Sequence, residues 1–332
     1  MKSTIIKVVL KATLSLLACF LLLEASTRVF WSAKLKCSPL SAPKTYVQKM
    51  IYPVLHRSGK DMSRVDGYYD VLLLGSSTLQ VHNDVIARSL TEKLNYALGY
   101  KVRVVSFAMA GQTSLDDYYK YKATEGRFDV VIFYDSINDL RANNCPSQVF
   151  REDYSHYSIY RVLSFLDKHP NFPLYSPILL QLVIQRPLEK LGWFGLVPTD
   201  KPREDWVAYG GDFKSQYSYM RNVASIIKLA RDRDEELILM TFATSPKDDY
   251  ACLWQYGYPV TMWGHPKNVS KGVFLHNIML RTLAKFTDTG LIDQAILMPT
   301  GGKYFNDICH FTITGCDRFT NNIVDYIVTN AR

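Results

Sequence analysis

Five short apolar runs alternate with helical patterns along this chain, and that alternation constrains the fold more than any other feature. The runs cover residues 71–74, 102–107, 130–134, 237–242 and, more weakly, 291–295. Because these runs have few polar positions on either strand face, they predict a parallel sheet that is covered on both sides. The sequence therefore predicts an α/β fold, a three-layer sandwich around a central parallel sheet of about five strands.

Helical patterns fill the intervals between the runs. They predict helices over residues 83–97, 114–126, 217–233, 273–286 and 314–329. In such sheets ligands bind outside the carboxyl ends of the strands, so the residues that follow each run are the candidates for a functional site.

The amino terminus is a hydrophobic segment from Ile5 to about Leu23, interrupted by Lys7 and Lys11. Its length approaches the roughly 20 residues that span a bilayer. No clear small-residue cleavage site follows it, so residues 1–36 are predicted as an uncleaved signal anchor. A cleaved signal peptide and lipidation at Cys19 are the alternatives. The rest of the chain would then lie outside the cytoplasm (periplasmic, extracellular or lumenal) on a single-pass membrane protein.

The net charge of +8 does not predict nucleic-acid binding. Residues 1–36 hold six Lys and Arg against Glu24 alone, which leaves +3 for all the remaining residues. That is an ordinary protein surface without a basic stripe. The six cysteines form no CxxC pair and no zinc-site spacing, so no metal is expected, while one or two disulfides among the last five remain an open alternative.

The predicted organisation has three parts. A polar linker over residues 37–66 connects the anchor to one large domain over residues 67–332. Residues 143–215 interrupt that domain with many aromatic residues and no convincing strand. We expect a helical cap beside the strand ends, shaping an acyl or glycan pocket; the alternative is a packed insertion without substrate contact.

Four polar segments lie at the places where a ligand would bind. "GSSTL" follows the first run, "AMAGQTS" the second and "YDSINDL" the third, and "YFNDICHFT" precedes the last helix. Together they contain what a serine needs to cleave an ester: a hydroxyl, a base, a carboxylate to orient the base, and donors for the oxyanion.

The four segments, in this order, resemble the four blocks of the SGNH or GDSL hydrolases, and the resemblance extends from Asp70 to Asp325 apart from the insertion. It implies a flavodoxin-like fold and a serine esterase that needs no cofactor. It assigns Ser77 as nucleophile, His310 as general base and Asp307 as the group that orients His310.

The resemblance also implies an oxyanion hole made of the backbone N–H groups of Ser77 and Gly111 and the side-chain amide of Asn138. Two residues depart from the family pattern. Ser76 stands where the family usually has Asp, and Ser136 stands where it usually has Gly and would narrow the site. Since Ser76 and Ser77 are adjacent, Ser76 is the fallback nucleophile.

Other polar and aromatic residues are alternatives of lower weight. His82 and His276 are within reach of the site in sequence but are more typical of structural histidines. Cys309 is expected to point away from His310 and to serve packing or a disulfide. The remaining candidates are Asp135 and Asp139 as a glycosidase acid pair, and Trp206, Trp254 and Trp263 as sugar-stacking residues.

The sequence thus predicts an esterase that removes or transfers an ester-linked, acetyl-like acyl group, on a glycan in the first interpretation, through an acyl-enzyme on Ser77. Its expected partners are the acyl-ester substrate and the membrane. A lipase or thioesterase acting on lipid acyl esters and a non-catalytic surface protein are the alternatives. The sequence leaves the substrate, hydrolysis against transfer, disulfide pairing and oligomeric state open.

Overall fold

The computed structural model describes residues 2–56, 67–190, 204–245 and 263–330. These residues form two compact units. One contains residues 2–56 and 155–190, and the other contains residues 67–154, 204–245 and 263–330. Each unit has its own architecture.

Helices and strands alternate as expected. The helices are α1 Lys2–Leu35, α2 Pro43–Ile51, α3 Ser77–Gln80, α4 Asn83–Leu98, α5 Ser114–Ala123, α6 Ser158–Lys168, α7 Ser176–Lys190, α8 Ser215–Asp232, α9 Pro266–Thr287, α10 Gln294–Leu297 and α11 Ile313–Asn330. The 3-10 helices are Pro53–His56, Ile137–Asn143 and Glu204–Asp212. The strands are β1 Tyr68–Gly75, β2 Lys101–Ser106, β3 Val130–Tyr134, β4 Glu236–Met240 and β5 Gly290–Ile292.

All five strands are parallel and lie in the order β2-β1-β3-β4-β5. This is the strand order of flavodoxin-like sheets, whose ligand site lies between the first and third strands at their carboxyl ends. The predicted fold class is therefore confirmed.

Helices cover both faces of the sheet, as the side chains of β3 show. Phe133 contacts Tyr219 of α8, whereas the next residue, Tyr134, contacts Phe319 of α11. Since successive strand residues point to opposite faces, α8 and α11 lie on opposite sides of the sheet. All five residues of β3 are buried, which explains why this run is apolar throughout.

Several predicted boundaries differ from the structure by a few residues, and two of them differ for clear local reasons. The fifth run ends at Ile292, because Asp293 stops the strand and its carbonyl accepts the N–H groups of Ile296 and Leu297 at the start of α10. Helix α9 starts at Pro266, seven residues before the predicted start at residue 273. Its first turns are mostly polar and hide the helical periodicity, while proline suits a first helical position.

The other unit is helical and has its own apolar core. Buried residues from α2, α6 and α7 include Tyr46, Val47, Leu163 and Ile178, and the ring of Tyr46 lies 4.8 Å from that of Tyr175. The predicted linker thus contains a helix with a buried face. The sparse apolar positions of "PKTYVQKMI" made that helix look like polar connecting chain.

The insertion predicted over residues 143–215 is divided between the two units. Residues 155–190 join the amino-terminal residues, while residues 144–154 and 204–215 belong with the sheet. The described residues of the insertion carry helices, as expected. Its role as a cap beside the strand ends stays a prediction.

Candidate active site

The turn after β1 places Ser77 beyond the carboxyl end of the sheet. β1 ends at Gly75, where an added Cβ would lie 2.6 Å from the carbonyl oxygen of Tyr134 and 2.8 Å from Leu79 Cδ1. Only glycine permits this approach. Ser76 then takes the N-cap position in an extended conformation, and Ser77 begins the short helix α3.

Ser77, His310 and Asp307 form one hydrogen-bonded line. His310 Nε2 lies 2.9 Å from Ser77 Oγ, and His310 Nδ1 lies 2.6 Å from Asp307 Oδ2. The carboxylate can only accept, so Nδ1 carries the proton and Nε2 is left to accept the proton of the Ser77 hydroxyl. The fold thus brings Ser77 to the predicted residues Asp307 and His310, which follow it by more than two hundred positions in the chain.

The other oxygen of Asp307 is also occupied. Asp307 Oδ1 accepts the backbone N–H groups of Cys309 at 2.9 Å and His310 at 2.8 Å. These bonds fix the carboxylate within its own loop before it meets the imidazole. The Asp-x-x-His spacing is therefore a local structure that holds the base in one orientation.

The contact between Asp307 and His310 shifts the pKa values of these two residues in opposite directions. Burial by itself lowers the pKa of His310, but the hydrogen bonds of Asp307 and Cys309 and the negative charge of Asp307 outweigh it and raise that pKa above its ordinary value. Burial by itself raises the pKa of Asp307, yet the hydrogen bond and charge of His310 lower it overall. The carboxylate is thus ionised at neutral pH and stabilises a protonated imidazole.

Ser76 differs from Ser77 in both exposure and contacts. Its side chain is fully buried, and its Oγ has no hydrogen-bond partner among the described residues. Ser77 is partly exposed and is the serine that His310 reaches. The geometry therefore favours Ser77 over Ser76, the fallback, as the reacting hydroxyl.

Asn138 is held in one orientation by two neighbours. Its Nδ2 donates to the carbonyl of Gln112 at 2.8 Å, and its Oδ1 accepts the indole N–H of Trp263 at 3.1 Å. Because the indole can only donate, the amide oxygen must face Trp263 and the NH₂ group must face the loop after β2. One of the two amide hydrogens has no acceptor among the described residues.

The backbone N–H groups of Ser77 and Gly111 donate to no other described residue. Gly111 has a φ of +72°, which favours glycine at this position. Its carbonyl accepts a hydrogen bond from Arg141. The predicted oxyanion donors thus have free hydrogens, and their role stays a prediction.

Hydrogen bonds join the loops that carry these groups. The N–H of Met109 donates to the carbonyl of Gly75 at 3.2 Å, and the N–H of Ala110 donates to the side-chain oxygen of Gln80. Asn138 links the 3-10 helix after β3 to the same region through Gln112. The first three predicted segments therefore meet at the carboxyl ends of β1, β2 and β3.

Ser136, the second departure from the family pattern, is accommodated inside the core. Its hydroxyl is fully buried and lies 3.0 Å from His276 Nδ1. His276 stacks on Tyr219 with the ring centroids 4.2 Å apart, and burial lowers the pKa of His276 to about 3. His276 is therefore a neutral core residue, and Ser136 points at it rather than at the surface.

Cys309 does not point away from its neighbour, contrary to expectation. Its Sγ lies 3.8 Å from His310 Nδ1, and the thiol is fully buried in the core. Burial raises the pKa of Cys309, which keeps the thiol neutral at pH 7. Asp307, Cys309 and His310 offer ligand atoms within 4.8 Å of one another, the one such His, Cys, Asp or Glu group found among the described residues.

Several lower-weight candidates have structural roles. Asp139 is fully buried and accepts from the N–H of Ser114 at 2.9 Å, its hydroxyl at 2.6 Å and the hydroxyl of Tyr154 at 2.7 Å. Asp135 is also fully buried, so neither faces a sugar. Trp263 orients Asn138 through its indole N–H. His82 takes the N-cap position of α4. Trp254 and Cys252 lie outside the described residues. The five described cysteines are all free.

Sequence reasoning missed Lys120, which lies beneath the site. Its side chain is fully buried, and Nζ donates to the carbonyls of Phe107 at 2.7 Å and Gly75 at 3.4 Å. Nζ also lies 2.7 Å from Asp117 Oδ1. In the sequence "DDYYK", Asp117 and Lys120 have the spacing that is typical of an ion pair on a solvent-exposed helix face. The contacts of Lys120 with distant backbone carbonyls leave no signal in the sequence.

No family model and no curated protein sequence matches the chain. Among solved structures, a GDSL-like lipase from Bacteroides thetaiotaomicron is 13% identical, with 86% of this chain and 98% of that chain covered and a TM-score of 0.44. An acetyl xylan esterase is 13% identical, with coverages of 77% and 98% and a TM-score of 0.43. A lipase/acylhydrolase from Enterococcus faecalis is 13% identical, with coverages of 78% and 95% and a TM-score of 0.37.

At 13% identity and TM-scores below 0.5, the likenesses add no weight to a functional assignment for this chain. That assignment depends on the geometry of the site.

We expect Lys120→Met to lower the free energy of unfolding by about 3 to 5 kcal/mol, because it leaves the buried Asp117 carboxyl and the carbonyl of Phe107 without their partner. Urea unfolding followed by circular dichroism measures the change. The control is Lys228→Met, whose side chain is 76% exposed and pairs with Asp232 on the surface; we expect a loss below about 1 kcal/mol there. Equal effects of the two substitutions would contradict the role of Lys120.

We expect His310 to titrate above its ordinary pKa and Asp307→Asn to bring that pKa down, since the amide cannot stabilise the imidazolium. Nuclear magnetic resonance of the imidazole carbons between pH 5 and 12 measures both values. Asp317→Asn is the matched control, because Asp317 pairs with Lys93 on the surface rather than with His310. An unchanged His310 titration in Asp307→Asn would refute the coupling.

Proposed function

We propose that this chain is a membrane-anchored serine esterase of the SGNH or GDSL type, with its sheet unit outside the cytoplasm. The observation that supports this proposal is the line of hydrogen bonds from Ser77 Oγ to His310 Nε2 at 2.9 Å and from His310 Nδ1 to Asp307 at 2.6 Å. A nucleophile, a base and an orienting carboxylate in that order are what acyl transfer by serine requires.

In the proposed mechanism Ser77 Oγ attacks the ester carbonyl carbon while His310 Nε2 takes its proton. The carbonyl electrons move to the oxygen, and the resulting oxyanion is bound by the N–H groups of Ser77 and Gly111 and by Asn138 Nδ2. Each such donor is typically worth about 3 to 4 kcal/mol of transition-state stabilisation. Asp307 stays ionised and keeps the proton on Nδ1.

The tetrahedral intermediate then collapses. The bond from the acyl carbon to the alkoxy oxygen breaks, and His310 gives its proton to that oxygen, which leaves as an alcohol. The acyl group remains on Ser77 Oγ until a second hydroxyl compound attacks the same carbon while His310 takes its proton. The bond from the acyl carbon to Ser77 Oγ then breaks, and His310 returns the proton to that oxygen. Water as this acceptor gives hydrolysis, and an alcohol gives transfer of the acyl group.

The membrane anchor in this proposal is α1. It is the one helix found among the described residues that is long and apolar enough to cross a bilayer, with a mean hydropathy of 2.2 and no buried residue in its most apolar window. Its distal part is tied to the helical unit, because Arg28 donates to the carbonyls of Pro39, Ser41 and Pro173. A segment with such contacts supports retention of the helix over cleavage.

We propose an ester-linked, acetyl-like group on a glycan as the substrate, because an esterase anchored on the outer side of a membrane meets esterified surface polysaccharides. A lipase or thioesterase is the second candidate. The exposed apolar residues Leu180 and Val183 of α7, in the same unit as the anchor, favour it. The hydrogen-bonded Ser77 and His310 support either enzyme over a non-catalytic surface protein.

We expect a fluorophosphonate probe to label the full-length protein in detergent at Ser77, because His310 removes the proton of that hydroxyl. Ser77→Ala should abolish labelling, and His310→Ala should slow it by about 10³-fold or more. Ser76→Ala is the matched control and should keep the labelling. Peptide mapping identifies the site, and labelling at Ser76 or none at all in folded protein would refute the assignment.

We expect kcat/KM for 4-nitrophenyl acetate to exceed that for the octanoate ester by about tenfold, as a pocket for a small acyl group excludes extra methylenes. Initial rates on a series of 4-nitrophenyl esters measure the preference, with Ser77→Ala as the blank. Rates that instead rise with chain length and with added micelles would replace the glycan substrate with a lipid acyl ester.

A further inference from the structure

One face of α7 is apolar and is left exposed by the residues that the structure describes. Leu180, Val183 and Ile184 have exposed fractions of 58%, 63% and 43%. Their spacing of three and four residues places them on the same side of the helix. Ile178, whose exposed fraction is 3%, faces the core of the helical unit instead. A grouped apolar face of this kind marks a surface that meets something other than water.

The first residues of α7 are fixed to α1. The Glu24 carboxylate accepts the N–H of Tyr175 at 2.9 Å, the N–H of Ser176 at 2.8 Å and the hydroxyl of Ser176 at 2.7 Å. The same carboxylate pairs with Arg28 at 2.7 Å. Helix α7 therefore starts at the level of Glu24 along α1.

The exposure of the α1 side chains changes at Glu24. The residues from Thr4 to Leu23 are exposed, apart from the partly exposed Phe20, whereas Glu24, Ser32 and Leu35 are buried within the helical unit. An ion pair of Glu24 with Arg28 is costly in hydrocarbon, so the bilayer should end close to this level. The start of α7 then lies at the edge of the membrane.

The composition and length of α7 fit that position. Residues 170–185 contain no Asp, Glu, Lys or Arg. The helix has 15 residues, about 22 Å in length, which is too short to cross a bilayer. A short helix with one apolar face is typical of segments that lie in the interface between headgroups and acyl chains.

We propose that the face of α7 formed by Leu180, Val183 and Ile184 inserts into the interface of the bilayer that α1 crosses. The main apolar run of α1 ends at Leu23, at the level where α7 begins, and Val29 and Phe30 add exposed apolar side chains past that level. In this arrangement both helices present apolar surface to lipid. The helical unit then contacts the membrane at two elements, which restricts rotation about α1. This inference rests on the proposed anchoring by α1 and is independent of the esterase chemistry.

Photocrosslinking of the full-length protein tests this contact. We replace Val183 by p-benzoylphenylalanine and reconstitute the protein in nanodiscs of phosphatidylethanolamine and phosphatidylglycerol. The same replacement at Leu14 of α1 reports on the anchor. The same replacement at Tyr96 of α4, whose exposed fraction is 93%, is the water-facing control. All three positions are exposed, and circular dichroism checks that each variant is folded. Irradiation is followed by mass spectrometry of the peptides.

We expect phospholipid adducts at positions 183 and 14, at least about tenfold above those at position 96. Adducts from position 183 to another part of the chain, or to a second copy, would overturn the inference, as would no lipid adduct there while position 14 is labelled. No lipid adduct at position 14 would refute the anchor and the inference together. Fluorophosphonate labelling of Ser77 in the same nanodiscs is a separate readout, and its loss would contradict the esterase alone.

Discussion

The close approach of Gly75 to the end of β3 is the constraint on which the site depends. A side chain there would meet the carbonyl of Tyr134 at 2.6 Å, so only glycine lets β1 turn at this point. The turn places Ser77 above the sheet, where His310 reaches it from the loop before α11. The carbonyl of Gly75 also accepts hydrogen bonds from Met109 and Lys120, so the neighbouring loops are fixed to the same residue.

Beneath this turn the core is polar. Asp117, Asp135, Asp139 and Lys120 are fully buried, and burial raises the pKa of all three carboxyl groups, to about 6 for Asp139. Such groups cost stability, but their hydrogen bonds have strict geometry. Asp139 holds the first turn of α5 through Ser114, and Lys120 from the same helix holds the ends of β1 and β2. The buried network thus links α5 to the strand ends beside Ser77.

The proposed catalytic groups and the proposed membrane anchor lie in different units. The sheet unit contains every group of the proposed mechanism, and the helical unit contains α1 together with residues 155–190 of the segment that was predicted to cap the site. In the helical unit the main polar contacts join α1 to α7 and to the residues that follow α1. Hydrogen bonds therefore connect residues 155–190 of the inserted segment to the proposed anchor.

The sequence by itself determined the strands, their alternation with helices, and the four segments that hold Ser77, Gly111, Asn138 and the Asp307–His310 pair. These features are local: strand and helix periodicity, a glycine turn and a four-residue loop each leave a pattern in adjacent residues. Only the tertiary structure decided that Trp263 orients Asn138, that Lys120 supports the Gly75 turn and that residues 155–190 join the amino-terminal helix. Those contacts pair residues distant in the chain, and their partners are backbone carbonyls and common side chains that no local pattern identifies.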